Sequence, residues 1–60
     1  MEKCYNGCLI ETWENWEDEG MYDVCITYPS GDSDIDFARS DNEEELIEEA
    51  MDIIDRNVEL

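Results

Sequence analysis

Histidine is absent from this 60-residue sequence, and only three Lys and Arg stand against nineteen Asp and Glu. The first absence removes the commonest general base for a Ser or Cys nucleophile and the commonest nitrogen ligand for a metal. The second leaves a formal net charge of −16, which excludes direct attraction to nucleic-acid phosphates or to anionic membranes. Proline occurs once and glycine three times, so no linker or Pro-rich tract divides the chain. No stretch approaches the roughly 20 apolar residues of a membrane span. Met1-Glu2-Lys3-Cys4-Tyr5-Asn6 lacks the basic region and apolar run of a signal peptide. Three cysteines make no complete disulfide framework and fit a reducing cytoplasm. Cys4 and Cys8 would stand about 13 Å apart on an extended strand, too far for a bridge. No Gly-rich phosphate loop is present, and so short a chain hardly builds the cleft that paired catalytic carboxylates need. The expectation is a non-enzymatic protein without cofactor or metal.

What is present argues for a folded domain. Charge density alone suggests disorder, but 42% of the residues are hydrophobic and they fall in patterned segments. A chain this short buries only about 60% of its unfolded surface, so its core is thin. In Met21–Tyr28, Tyr22, Val24, Ile26 and Tyr28 share one face of a strand, with Asp23, Cys25 and Thr27 on the other. Pro29-Ser30-Gly31-Asp32 has the chemistry of a turn. Ser33–Arg39 alternates again, which predicts Ile35 and Phe37 inward and Asp34 and Asp36 outward. Between Tyr5 and Trp13 both faces carry apolar groups. Gly7 reads as a bulge in a single strand whose register stays open.

Ser40-Asp41-Asn42-Glu43 matches a capping box, with Ser40 as the cap and Glu43 reaching back. Leu46, Ile47, Ala50, Met51, Ile54 and Val58 then recur at helical spacing, with Ile53 at the edge of the stripe. The chain is expected to form one acidic α+β domain over residues 1–60: a three-stranded antiparallel sheet (β-β-β-α) with one C-terminal helix packed on one face and the other face open.

The acids have a pattern of their own. The outward helix face holds Asp41, Glu44, Glu45, Glu48, Glu49, Asp52, Asp55 and Glu59, with Arg56 as its cation. An ordinary solvated face mixes signs, because like charges at i,i+4 destabilise a helix. Here Glu44-Glu48-Asp52 and Glu45-Glu49 repeat one sign at that interval, which points to a partner. With Glu43 counted, the carboxylates between positions 41 and 59 recur about every 3.4 Å, close to the charge spacing of a single DNA strand. Asp23, Asp34 and Asp36 are expected on the open sheet face, and Glu14, Glu17, Asp18 and Glu19 crowd the first loop. Trp13 and Trp16 point to opposite faces if that segment is extended, which leaves one exposed as a binding anchor. The residues expected to meet a partner are Glu14, Trp16, Glu17, Asp18, Glu19, Asp34, Asp36, Glu44, Glu45, Glu48, Asp52 and Asp55. Asp32, Asp34, Asp36, Ser40 and Glu43 also match EF-hand places 1, 3, 5, 9 and 12, but Phe37 stands where that loop needs Gly. A strand accounts better for that segment.

With acidic runs such as Glu43-Glu44-Glu45 and Glu48-Glu49 on so small a chain, the protein resembles the phage and mobile-element proteins that mimic DNA with carboxylates. Among these it looks most like anti-CRISPR inhibitors of type I surveillance complexes. That resemblance implies a basic nucleic-acid-binding protein as partner, possession by a phage, and the cytoplasm of a bacterial host. It is also similar to HicB antitoxins in Tyr22-x-Val24, Pro29, Ser40 and the Glu-rich helix start. This second resemblance implies an acidic antitoxin or adaptor that masks a basic partner. Either way the expectation is a monomer or weak dimer that binds neither membrane nor nucleic acid directly.

Overall fold

The computed structural model describes residues 1–58, except the side chains of Asp36 and Val58. Four strands precede the helix: β1 (Glu2–Tyr5), β2 (Cys8–Glu14), β3 (Tyr22–Thr27), β4 (Ser33–Ser40) and α1 (Glu43–Val58). They pair antiparallel in the order β1-β2-β3-β4, and α1 packs across one face. The α+β class, the meander and the open second face are as expected, but the sheet has four strands instead of three. The expected single strand from Tyr5 to Trp13 is folded back on itself at Asn6-Gly7. Both residues have positive φ (49° and 80°), as a two-residue type I′ hairpin turn requires. Apolar residues on both faces of that segment are explained by the reversal, with no bulge at Gly7.

The β3–β4 pairing holds a second departure. Asp23 lies opposite Arg39 and Cys25 opposite Ile35, so Val24 alone faces residues 36–38. This bulge breaks the simple alternation of β4. Ile35 shares the open face with Cys25 and is 61% exposed, contrary to its expected place in the core. Asp34 pairs with Ile26 on the helix side, contrary to its expected place on the open face. Phe37 and Ala38, within the irregularity, are half-buried against the core.

The core is one layer of side chains between sheet and helix. Cys8, Ile10, Val24 and Ile26 meet Leu46, Ile47, Ala50 and Ile54, all buried. The i, i+4, i+8 spacing of Leu46, Ala50 and Ile54 holds the helix by one stripe and turns the other side to water. The cap is displaced by two residues from its expected position. Asn42 Oδ1 accepts from the Glu44 N–H at 3.0 Å, so Asn42 occupies the N-cap. Ser40 Oγ accepts from the Asn42 N–H and donates to Glu45. Glu43, freed from capping, reaches the sheet instead.

Candidate functional site: an outward carboxylate face

The fold sorts the acids by what each carboxylate touches. Four are drawn into structure. Asp23 is 7% exposed; it accepts from Arg39 Nε at 2.9 Å and from Asn15 Nδ2 at 2.8 Å. The Arg39 hydrogen bond holds its carboxyl below the usual aspartate range, against the opposing pull of burial and with help from Asn15. Glu43 accepts a 2.6 Å bond from Thr12 Oγ1, with the Met1 ammonium 3.5 Å away. The Thr12 bond lowers its pKa, burial opposes this, and the ammonium adds to the lowering. Asp55 accepts the Tyr5 hydroxyl proton between its two oxygens, 2.9 and 3.1 Å from Tyr5 Oη, and ties the helix to the β1–β2 hairpin. Asp34 accepts from Tyr28 Oη at 2.8 Å, and Asn57 donates to the same oxygen.

The helix row is different. Glu44, Glu45, Glu48, Glu49 and Asp52 are all exposed. Glu45 accepts from the Ser40 hydroxyl, and Asp52 lies 3.6 Å from Arg56 in a pair exposed on both sides, worth little in water. The carboxylates of Glu44, Glu48 and Glu49 form no hydrogen bond or ion pair among the described residues. Between Glu44 and Asp52 these five charges occupy about 12 Å of helix. Removing Glu43 and Asp55 from the outward set therefore leaves the density near one charge per 3 Å. Along the flank of α1 toward β4, a groove of about 670 Å³ is lined by Glu45, Glu48, Glu49 and Asp52, with Arg39 and Arg56. No family model, curated protein or solved structure matches this chain.

Of the residues expected to meet a partner, the helix set Glu44, Glu45, Glu48 and Asp52 is brought together. Asp55 lies on the same helix but is engaged by Tyr5. Asp34 belongs to the helix side of the sheet, and the side chain of Asp36, like Glu59, lies outside the described residues. Glu14, Glu17, Asp18 and Glu19 are exposed at the β2–β3 end. There Asn15 Oδ1 accepts the N–H groups of Glu17 and Asp18, both at 2.8 Å, which fixes the loop locally. Asp18 also stands 3.6 Å from Arg39. Both tryptophans are exposed, Trp13 by 42% and Trp16 by 89%, so Trp13 joins the surface beside Trp16. Among the described residues the expected continuous acidic sheet face is not formed: Asp23 is neutralised by Arg39, and pairing with Ile26 sets Asp34 on the helix side. The structural tie of Asp55 had a signal in sequence only through Asn6-Gly7, since a hairpin there puts Tyr5 on the helix side.

The cysteines are free, with Cys4 exposed and Cys8 buried; Cys4 pairs with Leu9 and Tyr5 with Cys8, so the two thiols lie on opposite faces. Residues 33–40 are strand throughout, which does not make a calcium-binding loop. Among the described residues no group of three or more Cys, Asp or Glu is placed to hold a metal ion, and no helix is long and apolar enough to cross a membrane.

Proposed function

We propose that the protein is a non-enzymatic inhibitor that offers carboxylates in place of DNA phosphates to the basic site of a nucleic-acid-binding protein. The observation that supports this most is the Glu44–Asp52 row: exposed, of one sign, at near-phosphate density, and backed by a packed stripe that holds it rigid. Like charges at i,i+4 weaken the helix that carries them, and among the described residues no side-chain hydrogen bond or ion pair offsets that for Glu48 and Glu49, while Glu44 gains from its place in the first helical turn. A Lys/Arg-lined DNA groove would supply the missing counter-charges, with fast, salt-sensitive association. By the resemblance to anti-CRISPR proteins, the finer reading is that the groove belongs to a type I surveillance complex in the cytoplasm of a phage-infected bacterium.

The test is competition for DNA on a purified type I surveillance complex. The protein is expected to displace labelled target duplex, and its own affinity is expected to fall linearly in log–log terms with rising salt. Joint reversal of Glu44, Glu48 and Asp52 to Lys is expected to abolish displacement. Tight binding that leaves DNA occupancy unchanged rejects mimicry and favours an acidic adaptor or antitoxin that masks a basic surface of another kind. No binding at all removes this target and returns the question to capture of other DNA-binding proteins.

A further inference from the structure

The sheet face turned away from α1 has a different chemistry. Strand pairing sets its occupants in rows across the four strands: Glu2, Glu11, Cys25 and Ile35 in one, and Cys4, Leu9, Thr27 and Ser33 in the next. Leu9 and Cys25, on the two inner strands, are half-buried; Ile35 is 61% exposed, and Trp13 adds a 42% exposed ring toward one end. Exposed hydrophobes scattered singly need no explanation, whereas a contiguous strip rimmed by polar groups marks an interaction surface. Here the rim is anionic, with Glu2 and Glu11 in the rows and Glu17 in the exposed loop next to Trp16. Asp23 and Arg39 on the same face neutralise each other.

We propose that this face docks a basic amphipathic helix of a partner protein, with its apolar ridge on Leu9, Cys25 and Ile35 and its Lys and Arg side chains toward Glu2 and Glu11. Three observations select that occupant. Leu9 and Cys25 lie on the inner strands β2 and β3, so a peptide that adds to the β4 edge beside Ile35 would leave them uncovered. The four strands span about 14 Å between outer axes, wide enough for one helix of about 10–12 Å diameter, and α1 already covers the other face in this way. A second copy of the chain would bring another −16 charges against the same acidic rim, whereas a cationic helix is attracted to it. The surface is separate from the Glu44–Asp52 row, across the thickness of the sheet.

The probe is a synthetic peptide of about five helical turns, with Leu at i, i+3 and i+4 spacing and Lys and Arg on the flanks, titrated into the intact ¹⁵N-labelled protein. Saturable binding is expected, with amide shifts concentrated at Leu9, Glu11, Cys25 and Ile35. Ile35→Lys is expected to weaken binding at least about tenfold, and Glu11→Lys by a smaller factor, with far-UV dichroism unchanged because Ile35 is already exposed. Glu48→Lys, on the opposite side, is expected to leave peptide affinity within about threefold. Equal binding of a scrambled peptide of the same composition overturns the proposal, because charge alone then suffices. Shifts confined to α1, absence of saturable binding, or a dimer in sedimentation equilibrium that Ile35→Lys dissolves each overturn it as well.

Discussion

Arg39 Nε stands 2.9 Å from Asp23 Oδ1 across the β3–β4 pair, directly beside the bulge that reorders β4. The contact makes Asp23, on an otherwise apolar and half-covered part of the sheet, a compensated buried charge. A buried carboxylate without a partner is costly, so the Asn15 amide and the Arg39 guanidinium are what allow an acid there.

Asp23 should therefore act as an acid-sensitive element of stability. Its folded-state pKa lies below the usual value, chiefly through Arg39. Its stabilisation is then fully present above the ordinary carboxylate range of about 4 and is lost as pH falls through the folded value. Asp23→Asn is expected to melt below the parent at pH 7, and the two curves are expected to converge in acid. Calorimetry across that range checks it; an offset that persists at low pH would show that the carboxylate's charge is not the cause.

The Asn6-Gly7 turn carries a second prediction. Gly7 holds φ +80°, and an added Cβ would meet Pro29 Cγ at 3.4 Å, an ordinary contact. The penalty for Gly7→Ala is thus conformational, about 1–2 kcal/mol, and shifts the melting temperature by about 4–8 °C per kcal/mol in a domain of this size. An unchanged melting temperature would mean that β1 contributes little to the folded state.

Much of this architecture is legible in the sequence, and particular residues show why. Leu46, Ala50 and Ile54 reveal α1 because burial on a helix imposes a period that charge on the outer face cannot blur. Val24 and Ile26 reveal β3 by the same logic at period two. β1 stays hidden, although Asn6-Gly7 is itself a hairpin signal, because apolar Cys4 and Leu9 on the open face match Cys8 and Ile10 on the core face. The inversion of Asp34 and Ile35 has no such signal. The face each takes is set by how β4 registers against β3, which is a tertiary fact. For the site, the outward helix acids are legible from spacing, whereas Asp55 and Asp34 are removed from it by Tyr5 and Tyr28, partners distant in the chain.

The helix row sets stability against binding. Glu48 has Glu44 and Asp52 four residues away on either side, so Glu48→Lys turns two like-charge pairs into opposite ones. A gain of about 0.5–1 kcal/mol is expected from pair energies of this kind, shrinking as salt rises, together with weaker capture by a basic partner. Urea titration of both proteins at low and high salt measures the gain, and a loss of stability would contradict the repulsion argument.

Alkaline titration tests the tie between Tyr5 and Asp55. The Asp55 hydrogen bond raises the Tyr5 pKa, with burial and the Asp55 and Asp52 charges acting in the same direction. A raised folded value means that this stabilisation is fully present below the ordinary phenol pKa of about 10 and is lost as pH rises through the folded value. Asp55→Asn is expected to bring Tyr5 ionisation back toward the ordinary range, as read from tyrosine ring resonances. An unmoved Tyr5 titration would show that the hydrogen bond is not made in solution.

The strand order β1-β2-β3-β4 has a kinetic consequence. Every pairing joins segments consecutive in the chain, so each loop to be closed is short and the closure entropy small. Such low contact order places a β-rich protein toward the fast end of its class, with α1 condensing onto a meander whose hairpins form locally. Self-repulsion in the unfolded ensemble then becomes the main brake on collapse, so added salt should steepen the rise of the refolding rate long before it alters the rate of unfolding.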